Sequence, residues 1–142
     1  MGFDSIRSKV SRSRQARGTA LTRSQHTLAP ISSSVPTLGA ATCWQVVTPD
    51  GRFVYTSNAG SSTISGFSIA ANGTLTPLPG TVVTTQPAGG TNLDIAISSN
   101  GKFLYTLNSG SGTVGMFVIN SDGSLTTLGE IGSFQPLPVL TG

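Results

Sequence analysis

The stretch Gly51-Arg-Phe-Val-Tyr-Thr-Ser-Asn58 occurs again about fifty residues later as Gly101-Lys-Phe-Leu-Tyr-Thr-Leu-Asn108. The match continues downstream without a gap, and its further pairs are Gly60 and Gly110, Thr63 and Thr113, Phe67 and Phe117, Ile69 and Ile119, Gly73 and Gly123, and Leu75 and Leu125. A fixed period of this size indicates a repeat protein in which each copy forms one supersecondary unit. The sequence therefore predicts two units of the same fold.

Each copy has the pattern of four short strands joined by turns. The predicted strands are 42–48, 53–58, 63–69 and 74–78 in the first copy, and 92–98, 103–108, 113–119 and 124–128 in the second. Four Asx-Gly pairs separate them at matched positions: Asp50-Gly51, Asn72-Gly73, Asn100-Gly101 and Asp122-Gly123. We predict type I′ hairpin turns at these pairs, because Asp or Asn followed by Gly tolerates positive φ at both central positions. Each copy is then an antiparallel meander.

Apolar residues lie on both faces of the predicted sheets. Phe53 and Tyr55 share one face while Val54 lies on the other, and the strand 113–119 is apolar on both sides. Sheets of this kind are covered on both faces, and a stack of face-packed four-stranded sheets is a β-propeller. We therefore predict an all-β protein with two four-stranded antiparallel propeller blades, a fragment of a β-propeller. The blades occupy 41–80 and 91–130 of a domain that covers 31–142.

The first 30 residues differ in composition from the rest of the chain. The formal net charge is +3, and six of the eight basic residues lie in this stretch: Arg7, Lys9, Arg12, Arg14, Arg17 and Arg23. We predict a disordered or irregular leader over 1–30 that binds neither nucleic acid nor membrane, because no aromatic residue after Phe3 is interleaved with the arginines. An organellar transit peptide is the alternative. No apolar run is long enough to span a membrane, and we expect a cytoplasmic protein.

The repeat resembles that of a known family. Residues 49–58, 63–69 and 72–76 together are similar to the blade consensus of the lactonase family of seven-bladed β-propellers, which includes propeller-type 6-phosphogluconolactonases, carboxymuconate-lactonising enzymes and YVTN-type repeats. The resemblance covers about 31–142, or two blades. It implies a hydrolase of carbohydrate metabolism that opens a sugar lactone with His, Glu and Arg groups on the central channel. His26, the one histidine, lies in the leader, so the resemblance leaves open whether this chain is an enzyme.

Two residues are candidates for a site on the channel. Lactone hydrolysis needs a general base and a donor that stabilises the oxyanion. Asp94 is the catalytic candidate, because it lies in a predicted innermost strand, and innermost strands line the channel of a propeller. Trp44 holds the same position in the first copy. Trp44 and Asp94 are both candidate ligand-binding residues. The alternatives are that Asp94 bonds backbone amides and that Trp44 packs in the core. We expect Cys43 to be buried and predict no metal site and no cofactor.

Two blades do not close a ring, and each is expected to leave one large face uncovered. Three hypotheses follow. In the first, the chain is a lactonase-like fragment that is not catalytically complete alone and binds a small-molecule lactone, and its remaining blades are encoded nearby or supplied by another chain. In the second, it is a non-enzymatic binding or scaffold module that self-associates. In the third, it is a truncated gene product.

Overall fold

In the computed structural model the chain is described over residues 30–31, 34–78, 84–85 and 91–132. Within these ranges it forms strands and no helix. The chain divides into two units, Met1–Pro30 and Ile31–Gly142, and every strand belongs to the second. The predicted leader lies outside the described residues, apart from Pro30. The strands are β1 (Thr42–Val47), β2 (Phe53–Asn58), β3 (Thr63–Ile69), β4 (Leu75–Pro77), β5 (Thr84–Thr85), β6 (Asn92–Ile97), β7 (Phe103–Asn108), β8 (Thr113–Ile119) and β9 (Leu125–Ile131).

The strands form two antiparallel sheets, one from each copy of the repeat. The first blade has the order β1-β2-β3-β4, with β5 also paired to β3, and the second has the order β6-β7-β8-β9. The predicted fold class is confirmed. The predicted limits of β2, β3, β7 and β8 are confirmed residue for residue.

The fourth strands differ between the blades, which the repeat did not predict. β9 continues to Ile131 through a register shift at Gly129, whose φ is +104°. The first copy has Pro77 and Pro79 where the second has Thr127 and Gly129. Proline has no N–H to donate to a sheet ladder, so β4 ends after three residues. The Leu78 N–H still donates to the carbonyl of Gly66 in β3 at 3.1 Å, and the next described strand that pairs with β3 is β5.

The turns at the Asx-Gly pairs are not type I′, so that prediction is wrong. Among the non-glycine residues described, positive φ occurs at Leu38, Ala41 and Ser62, and at none of the four Asx residues. The glycines alone are left-handed, with φ of +71° at Gly51, +84° at Gly73, +71° at Gly101 and +86° at Gly123. Each donates its N–H to the carbonyl three residues earlier, as in a turn that ends on a left-handed glycine.

The Asx side chains explain why these pairs recur. In all four turns the Asx Oδ1 accepts the backbone N–H two residues ahead, at 2.9–3.1 Å; the donors are Arg52, Thr74, Lys102 and Ser124. Asp and Asn form this local bond readily, and Gly takes the left-handed position at no steric cost. The pair was therefore a correct signal for a turn, although the type of turn differs from the prediction.

The two blades pack face to face. We call the face of the first blade that carries Phe53 and Tyr55 its front face, and the face of the second blade that carries Leu104 and Phe117 its back face. These two faces meet in one core made of Phe53, Tyr55, Ile64, Leu78, Ile95, Leu104 and Phe117. The Tyr55 hydroxyl crosses the interface and donates to the carbonyl of Gly123 at 2.7 Å. Blade stacking therefore builds the core of the described chain.

The two outer faces of this stack differ in how far their apolar side chains are buried. On the back face of the first blade, Val54 and Phe67 are buried, so the expectation of an uncovered face is wrong for this blade. On the front face of the second blade, Phe103, Tyr105 and Met116 are only partly buried and Leu107 is 41% exposed. Within the described residues, the second blade is the one that leaves an apolar face open.

Candidate functional site

Two matched first strands form the edge where the candidate residues lie. β1 and β6 occupy the same position in their sheets and contact each other across the blades. Each is interrupted by a register shift, between Thr42 and Trp44 in β1 and between Asn92 and Asp94 in β6. Such bulges re-aim the side chains next to them. The repeat thus sets Trp44 and Asp94 in equivalent backbone positions, directly after a bulge.

Trp44 is exposed on this edge, so the alternative prediction of a core tryptophan is wrong. Its side chain is 58% exposed, while its backbone N–H donates to Oγ of the buried Ser57 at 3.2 Å. Cys43, the extra residue of the bulge, is also exposed, against the prediction that it is buried. The physical reason is the same for both, since an edge strand with a bulge turns side chains out of the core. Residues 42–45 line an open hollow of about 590 Å³.

Asp94 occupies a different hollow. Its carboxylate Oδ1 accepts the backbone N–H of Ile95 at 2.7 Å, which is the backbone contact that the alternative interpretation expected. With Tyr105, Leu107 and Val114 among its neighbours it lines a shallow space of about 170 Å³ on the front face of the second blade. The structure therefore places the two candidates one blade apart and not in one pocket. Their roles in binding or catalysis stay predictions.

Glu130 in β9 has a structural contact. Glu130 Oε2 accepts the hydroxyl of Thr113 at 2.8 Å. Over the ranges described, no three His, Cys, Asp or Glu side chains are grouped so that they could hold a metal ion. The same residues include no helix long and apolar enough to cross a membrane.

A third hollow, of about 260 Å³, lies between the hairpin turns of the two blades and was not predicted. Arg52 is its central side chain: Nε donates to Asp50 Oδ2 at 2.7 Å, and NH1 donates to the carbonyl of Ser121 in the other blade at 3.4 Å. The Thr48 hydroxyl and then Arg52 hold the pKa of Asp50 well below its usual range. Arg52 also lies over the ring of Phe53. The arginine thus ties the blades together at the turns.

Asn92 is a further interblade residue that the repeat could not reveal, because the first copy has Thr42 at this position. Its Nδ2 donates to the carbonyl of Thr63 in the first blade at 2.9 Å, and its side chain is fully buried. The only signal in the sequence was the departure from the repeat. Differences between copies therefore mark the contacts that are specific to one interface.

Comparison with solved structures finds several proteins that share this fold over part of their length. A protein from Lactobacillus plantarum matches with 29% identity and a TM-score of 0.57, over 66% of this chain and 28% of that one. The periplasmic gluconolactonase PpgL of Pseudomonas aeruginosa matches with 24% identity and a TM-score of 0.56, over 65% and 26%. A putative 6-phosphogluconolactonase from Bacteroides fragilis matches with 24% identity and a TM-score of 0.53, over 63% and 25%. The chain spans about a quarter of the length of these proteins.

Comparison of the sequence gives the family directly. No curated protein sequence matches the chain. The family model for the lactonases, described as a seven-bladed β-propeller, matches residues 10–139. This match includes both sheets, both bulged first strands and all four Asx-Gly turns. The chain belongs to the lactonase family of seven-bladed β-propellers.

Proposed function

We propose that the chain supplies two consecutive blades of a propeller that hydrolyses a sugar lactone, and that these two blades are not catalytically complete alone. The observation that carries the proposal is the pair of matched bulges in β1 and β6, which leave Trp44 and Asp94 on one edge of the stack. Solved structures with a fold similar to that of this chain include proteins described as a gluconolactonase and a putative 6-phosphogluconolactonase, which supports this substrate class.

The roles of the two residues follow from their chemistry. Trp44 offers an exposed, rigid ring on which a sugar can stack. Asp94 offers a carboxylate that can accept a proton from an attacking water or a bond from a sugar hydroxyl. An oxyanion donor must also be present, since acyl chemistry depends on one. Because the two residues line separate hollows, we assign that donor and the completion of the pocket to neighbouring blades.

The test is a lactone-opening assay with glucono-δ-lactone and 6-phosphoglucono-δ-lactone, run on the purified chain and on the full propeller that contains it. The chain alone is expected to match the spontaneous rate. The full propeller is expected to exceed it, and Asp94→Asn to reduce the excess by about 10²-fold or more if Asp94 is the base. Acceleration by the chain alone would show that two blades suffice. A full propeller with no acceleration would remove lactone hydrolysis.

Binding gives a second readout that does not depend on turnover. Trp44 is the one tryptophan of the chain, so its fluorescence reports on this edge without interference from other positions. In the full propeller, with any further tryptophan replaced by phenylalanine, gluconate or 6-phosphogluconate is expected to change the Trp44 emission in a saturable way. An unchanged emission at all concentrations would argue against Trp44 as a ligand-binding residue.

A non-enzymatic binding module is the second candidate function. One observation favours it: the open apolar front face of the second blade is a surface of the kind that marks protein interaction sites. A stable oligomer of the purified chain that opens neither lactone would favour this function over the first.

A further inference from the structure

The hollow of about 260 Å³ between the hairpin turns is framed by matched parts of the two blades, and we call it the interturn hollow. One wall is the turn after β1, with Asp50 and Arg52, and the other is the turn after β6, with Asn100 and Lys102. The same two positions of the repeat therefore face the hollow from both sides, and any difference between the copies changes its chemistry.

The two turns make the same hydrogen bonds but differ in charge. Asp50 Oδ1 accepts a hydroxyl at 2.6 Å and the N–H of Arg52 at 3.1 Å. Asn100 Oδ1 accepts a hydroxyl at 2.7 Å and the N–H of Lys102 at 3.1 Å. The amide of Asn100 thus preserves the turn, while the negative charge that Asp50 carries is absent from the second wall.

This difference leaves one cation of the interturn hollow without a counterion. Arg52 Nε pairs with Asp50 Oδ2 at 2.7 Å. Within the ranges that the structure describes, the ammonium of Lys102 has neither an ion pair nor a hydrogen bond. The residues that line the hollow include two cations, Arg52 and Lys102, and one carboxylate, Asp50, so their net formal charge is +1. A concave surface with excess positive charge attracts anions.

The hollow also contains neutral donors and a cation that is already held in place. The hydroxyls of Ser99 and Ser121 line it, and neither has a hydrogen-bond partner among the described residues. Arg52 NH1 donates to the carbonyl of Ser121, and the guanidinium lies 5.0 Å from the centroid of the Phe53 ring. Because these contacts fix the guanidinium before a ligand arrives, less side-chain entropy is lost on binding.

We propose that the interturn hollow binds a phosphate group, as inorganic phosphate or as the end of a phosphate monoester, between Arg52 of the first blade and Lys102 of the second. A phosphate monoester carries about two negative charges at neutral pH and presents three strong acceptor oxygens. Donors that approach from two walls can reach different oxygens of such a group, whereas a carboxylate offers only two oxygens in one plane. Arginine and lysine are the side chains that proteins use most for phosphate.

This site lies away from the residues to which the proposed function assigns sugar binding. Trp44 and Asp94 lie near the starts of β1 and β6, whereas the turns of the interturn hollow follow the ends of these strands. Phosphate binding there therefore does not depend on lactone hydrolysis, and either proposal can fail without the other.

The experiment titrates the full chain into inorganic phosphate or glycerol 3-phosphate at pH 7.5 and follows the ³¹P resonance, with the ionic strength held constant by sodium chloride. Wild type is expected to shift the resonance in a saturable way. Asn100→Asp gives Lys102 the carboxylate that Arg52 already has and keeps the acceptor of the turn, so it is expected to weaken binding about tenfold or more. Lys102→Gln is expected to weaken binding to a similar extent, and Lys102→Arg to retain it.

The variants also separate this site from the basic stretch 1–30, which is identical in all of them. Equal affinity of wild type, Asn100→Asp and Lys102→Gln would place the phosphate elsewhere and overturn the proposal, as would the absence of saturable binding to wild type. Because Lys102 is exposed, Lys102→Gln carries the test if Asn100→Asp does not fold.

Two further arms define the ligand. Acetate at the same ionic strength is expected not to compete with phosphate, and competition at equal concentration would overturn the assignment to phosphate. Tighter binding of glycerol 3-phosphate than of inorganic phosphate, lost in Lys102→Gln, would support a monoester as the ligand. The reverse order, with the same loss, would support the inorganic ion.

Discussion

At the scale of single residues, Gly123 is the position where turn geometry and blade packing depend on one another. Its φ of +86° requires a residue that tolerates the left-handed region, and its missing side chain leaves room for the ring of Phe53 and for Leu78. Gly51 has a similar φ of +71° but no heavy atom within 4 Å of a Cβ. The two glycines thus have a similar backbone conformation but differ in how closely other residues pack against them.

Gly123→Ala should therefore destabilise the chain more than Gly51→Ala. Left-handed backbone costs an L-residue roughly 1–2 kcal/mol, and an overpacked core costs roughly 1–3 kcal/mol more. We expect losses of about 3 kcal/mol for Gly123→Ala and about 1 kcal/mol for Gly51→Ala in the free energy of unfolding by urea. Equal losses would mean that Phe53 does not pack on Gly123.

Tyr55 tests the same interface through its hydroxyl. Removing this donor leaves the buried carbonyl of Gly123 without its bond, so Tyr55→Phe should cost about 1–3 kcal/mol. Tyr105→Phe is the matched control and should cost less than about 0.5 kcal/mol in the chain alone. Similar losses for both variants in denaturant unfolding would contradict the assignment of one buried and one open tyrosine.

Alkaline pH gives a second readout for Tyr55, because burial raises the pKa of its hydroxyl. As the pH rises, Tyr55 ionises in the unfolded chain before it ionises in the folded chain. The stability that the neutral hydroxyl contributes is therefore complete below about pH 10, and it declines as the pH rises toward the folded pKa. Wild type is expected to lose more stability above this pH than Tyr55→Phe. Parallel losses in the two proteins would show that Tyr55 is not protected by folding.

At the scale of elements, the Asx-Gly turns divide into two chemical kinds. Asp50 and Asp122 are carboxylates, whereas Asn72 and Asn100 make the same bond with an amide oxygen. The Thr48 hydroxyl lowers the pKa of Asp50, and the Ser124 hydroxyl lowers that of Asp122. Only the first kind of turn can therefore respond to acid.

A double variant Asp50→Asn, Asp122→Asn should flatten the acid side of the stability curve. A carboxylate whose pKa is lower in the folded chain than in the unfolded chain stabilises the fold. This stabilisation is present above the unfolded pKa of about 3.9 and is lost as the pH falls through the folded pKa. Asn keeps the acceptor and does not titrate in this range, so the variant should lose less stability than wild type between about pH 4 and 2. If wild type and the double variant lose the same thermal stability as the pH falls, these carboxylates have no role in the acid sensitivity of the fold.

The elements also show what could be predicted from the sequence and what could not. The limits of β2 and β7 followed from apolar alternation bounded by Gly51 or Gly101 and by an asparagine, since these signals are local. The exposure of Trp44 did not follow, because a bulge in β1 has no composition of its own. The contact of Ile31 with Gly73 was equally hidden, since it joins residues about forty positions apart in a way the repeat does not encode.

At the scale of the whole molecule, the two repeats share one sequence pattern but differ in what surrounds them. The first blade is covered on both faces, and the described part of the second is covered on its back face alone. Repeat units depend on their neighbours to bury a core, so the chain is a segment of a stack and not a closed structure. The proposed function gives the candidate site the same dependence, because Trp44 and Asp94 line separate hollows.

The most direct test of this stacking is the reactivity of the two tyrosines toward a nitrating reagent, mapped by mass spectrometry of peptides. The chain has two tyrosines, at matched positions of the repeat, so each is the control for the other. If the first blade packs its front face on the second, Tyr105 is nitrated in the folded chain while Tyr55 is protected until the chain unfolds. Nitration of Tyr55 at the rate of Tyr105 in the folded chain would contradict the stacking of the blades.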